Sequence, residues 1–167
     1  MESLVASITE FFGSWLSPEV IIFLVSLLPI LELRGGLIAA ALLGVDWSIA
    51  FPICVIGNIL PIPIIVLFIR KIFDFIKKTN FLCLSKIVTK IDEKAQNKSK
   101  NMNTASLLGL FLFVAIPLPG TGAWTGALVA NILNIKPLKS FIAIFLGVVS
   151  AGIIMSTLTY LIPSFFF

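Results

Sequence analysis

No histidine occurs among the 167 residues. That absence removes Ser-His-Asp and Cys-His catalysis and every histidine-based metal site at once. Cysteine is almost as scarce: Cys54 and Cys83 lie far apart in no C-x-x-C spacing, and read as one packed thiol and one loop thiol. Acids are few, and Asp46 and Asp74 sit at the margins of apolar segments, so the aspartate pair of an intramembrane protease is missing as well. No P-loop is present, and ATP drive would have to come from a partner. The chain therefore reads as no enzyme, with no cofactor and no metal. The first sixteen residues carry Glu2 and Glu10 but no Lys or Arg, which speaks against a secretory signal.

Hydrophobicity is what the chain has in excess. With 59% apolar residues, 12% charged and a mean hydropathy of +1.12, it reads as an all-α integral membrane protein of one domain. The net charge of +4 is local. Residues 70–100 hold nine Lys or Arg against three acids, while the rest of the chain holds three against five. Charge so placed sets topology by the positive-inside rule and binds lipid surfaces; no nucleic-acid motif accompanies it.

In order, residues 1–17 read as a surface helix, with Leu4, Ile8, Phe11, Phe12 and Trp15 on one stripe. Residues 18–69 form a first repeat: an apolar arm to Pro29, an interruption at Glu32-Leu33-Arg34-Gly35-Gly36, a second arm to Val45, a turn at Asp46-Trp47-Ser48, and a span from Ile49 to Ile69. Residues 70–104 are a basic cytoplasmic amphipathic connector. Residues 105–163 repeat the plan, with a break over Pro117–Gly122 and a span from Ser140 to Ile162. Each arm has roughly 9 to 14 residues against the ~20 a crossing helix needs, so each pair reads as a re-entrant hairpin. Sliding the halves by 88 positions sets Pro29 on Pro117, Glu32 on Gly120 and Ala39 on Ala127; two further residues set Gly57 on Gly147. With the basic loop cytoplasmic, Lys136 and Lys139 are cytoplasmic too, Asp46 faces out, and the two repeats are inverted.

Interrupted segments at corresponding places in two halves point to a transporter site. Pro117, Pro119, Gly120 and Gly122 must break a helix, and broken backbone survives at membrane depth only in protein or beside water. Two half-helices starting after the breaks would aim free N–H groups at a common centre where an anion could bind. Thr121 and Thr125 would add hydroxyls there, and Trp124 a flat face for an apolar body or a cation. Thr125-Gly126 equally suits close helix packing. Glu32 and Arg34 are the only charges between Glu19 and Asp46, and charge at this depth is functional or paired by default. Glu32 is the expected proton carrier, its affinity set by whichever of desolvation and the Arg34 charge wins. Arg34 is the expected holder of an anionic substrate group, and Gly35-Gly36 are expected to unwind the chain around them. Asn58 either lines the cavity or bonds between helices. The function expected is a small, proton-coupled transporter of an amphiphilic or lipid-like molecule; the alternative is a non-transporting scaffold or membrane-remodelling protein. Small size suggests a homodimer.

Three strings carry a family resemblance: Glu32-x-Arg34-Gly35-Gly36, Gly57-Asn58-x-x-Pro61-x-Pro63, and the run from Phe113 to Gly126. Over roughly residues 20–160 they resemble the small multidrug export protein family, a distant relative of the DedA membrane proteins, also called the VTT or SNARE-associated superfamily. The resemblance implies two inverted repeats of a re-entrant hairpin plus a transmembrane helix. It further implies drug export, or lipid flipping of polyprenyl phosphates, in the cytoplasmic membrane. DedA proteins carry arginines in the second-half motif, where this chain has Ala115 and Gly120, which leaves Arg34 as the buried arginine.

Overall fold

The computed structural model describes residues 16–68, 104–118, 120–133 and 135–161. Most of the expected surface helix, the last residue of the first repeat (Ile69), residues 70–103 of the connector, Pro119, Asn134 and the residues after Leu161 lie outside these. Among the described residues the chain is helical without strands. Its helices are α1 Pro18–Leu27, α2 Glu32–Leu42, α3 Trp47–Ile59, α4 Thr104–Ala115, α5 Ala123–Ile132 and α6 Pro137–Ser156. A turn at residues 60–61 carries α3 on into helical residues 62–68, because Pro61 has no N–H to offer the Gly57 carbonyl. A π-helical segment, Thr157–Leu161, extends α6.

Helix starts follow the sequence. Pro18 and Pro137 stand in the first turn, where a missing N–H costs nothing. Asp46 caps α3, its carboxylate accepting from the Ser48 amide at 2.9 Å and the Ser48 hydroxyl at 2.7 Å.

Among the described residues, two helices are long and apolar enough to cross a membrane: Trp47–Phe68, 22 residues, and Pro137–Leu161, 25 residues. At 1.5 Å per residue they reach about 33 and 37 Å, more than the ~30 Å of hydrocarbon. The 10- to 12-residue helices α1, α2, α4 and α5 reach about half that. Large apolar side chains lie open on the outer face, among them Ile30, Ile64 and Leu138. Water would penalise such a surface and lipid does not, so this is a membrane protein.

The core joins both halves: Ile21, Ile22 and Val25 from α1, Leu33 and Leu37 from α2, Val114 from α4, and Ile144 and Val148 from α6. Within the first half α1 packs on α2 and α3; within the second, α4 packs on α6; the halves meet where α2 and α3 touch α6. The spacing of 88 to 90 positions recurs in the element ends. Helix α1 ends at Leu27 and α4 at Ala115, while α3 starts at Trp47 and α6 at Pro137. It recurs in side-chain contacts too. A Cβ on Gly57 would lie 2.8 Å from the Phe23 carbonyl oxygen and 3.1 Å from Ser26 Cβ. A Cβ on Gly147 would lie 3.0 Å from the Phe111 carbonyl oxygen and 2.7 Å from Val114 Cβ, the equivalents 88 positions on.

One expectation is corrected. The first interruption falls at residues 28–31, around Pro29, and Glu32 to Gly36 are the opening turns of α2 rather than an unwound tip. The two glycines serve close approach: a Cβ on Gly36 would fall 1.9 Å from Ser26 Oγ and 2.9 Å from Cys54 Sγ, and one on Gly35 would fall 2.6 Å from Leu31 Cβ. Cys54 is the packed thiol the sequence suggested.

Candidate functional site

The second break leaves helix ends with unpaired groups, and the first half supplies their partners. Helix α4 stops at Ala115 because Pro117 cannot continue it, and α5 starts at Ala123 after Gly120 and Gly122, which hold φ of 82° and 150°. The carboxylate of Glu32 lies across the start of α5. Its Oε2 accepts from the Ala123 amide and its Oε1 from the Trp124 amide, each at 3.1 Å. An anion there satisfies two orphan donors and meets the positive end of the helix dipole. Gly122 is what lets it in: a Cβ at that position would sit 1.8 Å from Glu32 Oε2.

Arg34 serves the opposite end. Its guanidinium donates to the Leu118 carbonyl, to the Ile116 carbonyl at 3.3 Å and to Thr121 Oγ1 at 2.8 Å. These are carbonyls just past α4, where a cation complements the negative end of the dipole. The Thr121 hydroxyl shares its one proton between the same two carbonyls, at 2.9 and 2.8 Å. Glu32 and Arg34 are both buried, at 5% and 9% exposure, and among the described residues they do not pair with each other. One acid and one base, two residues apart, thus brace the two ends of a gap in the other half. Glu32 holds a left-handed φ of 51° to do so, a conformation rare outside glycine and asparagine.

This modifies the expected anion site. The Ala123 and Trp124 amides are taken by Glu32, so they are not free for a substrate anion in this conformation, and Arg34 is turned to two backbone carbonyls and the Thr121 hydroxyl. The cavity between Glu32, Arg34, Asn58, Gly122 and their apolar neighbours has a volume of about 10 Å³, enough for about one water molecule. Asn58 does line it, 2% exposed, and its Oδ1 has no hydrogen-bond partner.

The other predicted residues are spread more widely. Gly36 packs against α1 and α3, Gly35 packs against Leu31 at the start of its own helix, Thr125 bonds back to the Gly122 carbonyl at 3.3 Å, and Gly120 is exposed with open space around it. Pro117 is half-buried in the break, and Pro119 lies outside the described residues. Trp124 contributes its backbone amide, while its indole N–H is buried without a partner. Sequence reasoning missed a larger groove of about 420 Å³ between Trp47, Ile153, Ser156, Thr157, Tyr160 and Leu161. Tyr160 donates to the Val45 carbonyl at 3.1 Å beside it, and the Ser156 hydroxyl is buried and unpartnered. The polar cluster Ser156-Thr157-x-Thr159-Tyr160 at the end of an apolar span was the available signal.

These features define a small helical membrane protein whose halves are braced across a broken helix by one buried acid and one buried base. The chain belongs to the family described as "Putative small multi-drug export protein", whose family model matches residues 32–154. No curated protein and no solved structure matches it.

Proposed function

We propose that the protein is a small secondary transporter in the cytoplasmic membrane that exports amphiphilic or lipid-like molecules, coupled to protons through Glu32. The family description supports export. The observation that carries the mechanism is the brace: Glu32 on the Ala123 and Trp124 amides, Arg34 on the Ile116 and Leu118 carbonyls. Protonation would neutralise the Glu32 carboxylate and turn one acceptor oxygen into a donor, which weakens its hold on two N–H groups. The brace then loosens, the halves part, and the freed amides and Arg34 are exposed to an anionic or polar headgroup. In this reading the chain is two inverted repeats, each a re-entrant hairpin plus a spanning helix, kin to the DedA proteins, with the basic connector cytoplasmic and two copies forming a homodimer. The half-length helices and the contacts repeated at 88 to 90 positions support that arrangement.

A second reading has its own support. Both charges are hydrogen-bonded to the second break, Glu32 to backbone amides and Arg34 to backbone carbonyls and the Thr121 hydroxyl, as they would be in a non-transporting scaffold that uses them only to hold a broken helix together. Reconstitution into liposomes with a panel of cationic dyes and polyprenyl phosphates separates the two. A transporter moves at least one of these along a proton gradient and stops doing so with Glu32→Gln, while the variant still inserts and folds. If no panel member moves and Glu32→Gln changes only stability, the scaffold reading stands.

A further inference from the structure

The small cavity at the brace has a chemistry of its own. Three residues with polar side chains line one volume of about 10 Å³: Glu32, Arg34 and Asn58. All three are at least nine-tenths buried. Asn58 Oδ1 has no protein partner, and a buried amide oxygen left bare costs about 1–3 kcal/mol. The rest of the wall is apolar or backbone, including Leu33, Val114 and Val148. A buried water needs two to four polar partners and about one probe sphere of room, and this cavity meets both conditions. Hydrocarbon fails the first and any substrate headgroup the second.

We propose that this cavity is a binding site for one water molecule, anchored by Asn58 and shared with the Glu32 carboxyl. When Glu32 is ionised, the water donates to the carboxylate. When Glu32 carries a proton, the water accepts from its O–H and donates onward to Asn58 Oδ1; the proton that makes or leaves the Glu32 O–H bond is exchanged with solvent, and the water turns while keeping both of its own O–H bonds. Asn58 is thus a positioning residue: through the water it lets both protonation states of Glu32 stay buried. Arg34 is the other charged group lining the cavity, and its fixed charge is present in both states. The role of the water in proton coupling rests on the transport reading above; the presence of the water does not.

X-ray radiolytic labelling in H₂¹⁸O, on the full chain in lipid nanodiscs, tests the site without any transport assay. Radicals form from water where it is bound, so Leu33, Val114 and Val148 should take up ¹⁸O several-fold faster than Ile21 and Ile22. All five side chains are at most 1% exposed, and the two isoleucines lie away from the cavity wall. In Asn58→Leu, which fills the amide's place with hydrocarbon, uptake at the three positions should fall to the isoleucine level. In Asn58→Ser, which keeps a hydroxyl and adds room, it should persist. Wild-type labelling no faster than at Ile21 and Ile22 overturns the proposal even if no variant folds, and labelling unchanged in Asn58→Leu removes Asn58 as the anchor. A labelled cavity together with normal proton-driven transport by Glu32→Gln would leave the water in place and refute the coupling role of Glu32 instead.

Discussion

At the scale of single residues, the brace depends on a charge and on a missing side chain. Glu32→Ala strands two amides at the start of α5 and removes the anion that complements them, so it should destabilise the folded protein by roughly 2 kcal/mol; reversible unfolding in mixed micelles measures this. Glu32→Gln keeps one good acceptor and should cost less. Gly122→Ala reaches the same end by another route, since its Cβ would overlap Glu32 Oε2. It should cost at least as much stability as Glu32→Ala, because the φ of 150° adds backbone strain to the clash, and on the transport reading it should lower transport as well. Gly120→Ala is the control: φ is 82° and nothing lies within 4 Å, so only the left-handed backbone penalty of about 1 kcal/mol applies. Equal effects at the two glycines would mean that backbone strain, not room for the carboxylate, explains Gly122.

At this scale the sequence was half legible. Scarcity of charge singled out Glu32 and Arg34, and Pro and Gly singled out the break they serve. Their partners were not legible, because a carboxylate that caps a helix 91 residues away leaves no local pattern. The Gly35-Gly36 pair misled for a related reason. Glycine marks both unwinding and close packing, and only the neighbours Leu31, Ser26 and Cys54 decide between them.

Among the elements, the repeated glycine contact holds the first short helix of each half against its spanning helix. At Gly57 the obstructing atom is a backbone carbonyl oxygen, and at Gly147 it is the Cβ of a β-branched residue, so neither neighbour can swing away. Gly57→Ala and Gly147→Ala should each cost about 1–3 kcal/mol through overpacking. Gly109→Ala, in α4 with nothing within 4 Å, should instead stabilise by roughly 0.5–1 kcal/mol on helix propensity. Thermal unfolding of the three variants checks the contrast.

The cap of α3 adds a pH-dependent contribution. The Ser48 hydroxyl, and next its amide, hold the Asp46 carboxyl below its ordinary value. A depressed carboxylate stabilises the fold above its unfolded-state value of about 4 and loses that contribution as pH falls through the lower folded value. The stability gap between wild type and Asp46→Ala should therefore be widest at neutral pH and close on acidification below about pH 4. A gap independent of pH would mean the cap acts by shape rather than charge. Element positions themselves were largely legible, since the lengths of apolar runs and the prolines gave both spans to within a few residues. The π-helical end of α6 was not, because helix width depends on packing that periodicity does not encode.

For the whole molecule, the central claim of the transport proposal is that the two halves, which share one core, are locked together by the brace and must part across it for transport. At about 10 Å³ the cavity has no room for a substrate larger than water, so on the transport reading the halves must part to admit one. Its size could not be read from the sequence, which fixes what lines a site but not how tightly the lining closes. Leu33 in α2 and Ala123 in α5 belong to different halves and line the same cavity. A cleavable thiol cross-linker between Leu33→Cys and Ala123→Cys, with Cys54 and Cys83 replaced, would fasten the halves across it. Transport in proteoliposomes should fall to background on cross-linking and return on reduction. Undiminished transport with the cross-link complete would contradict the account.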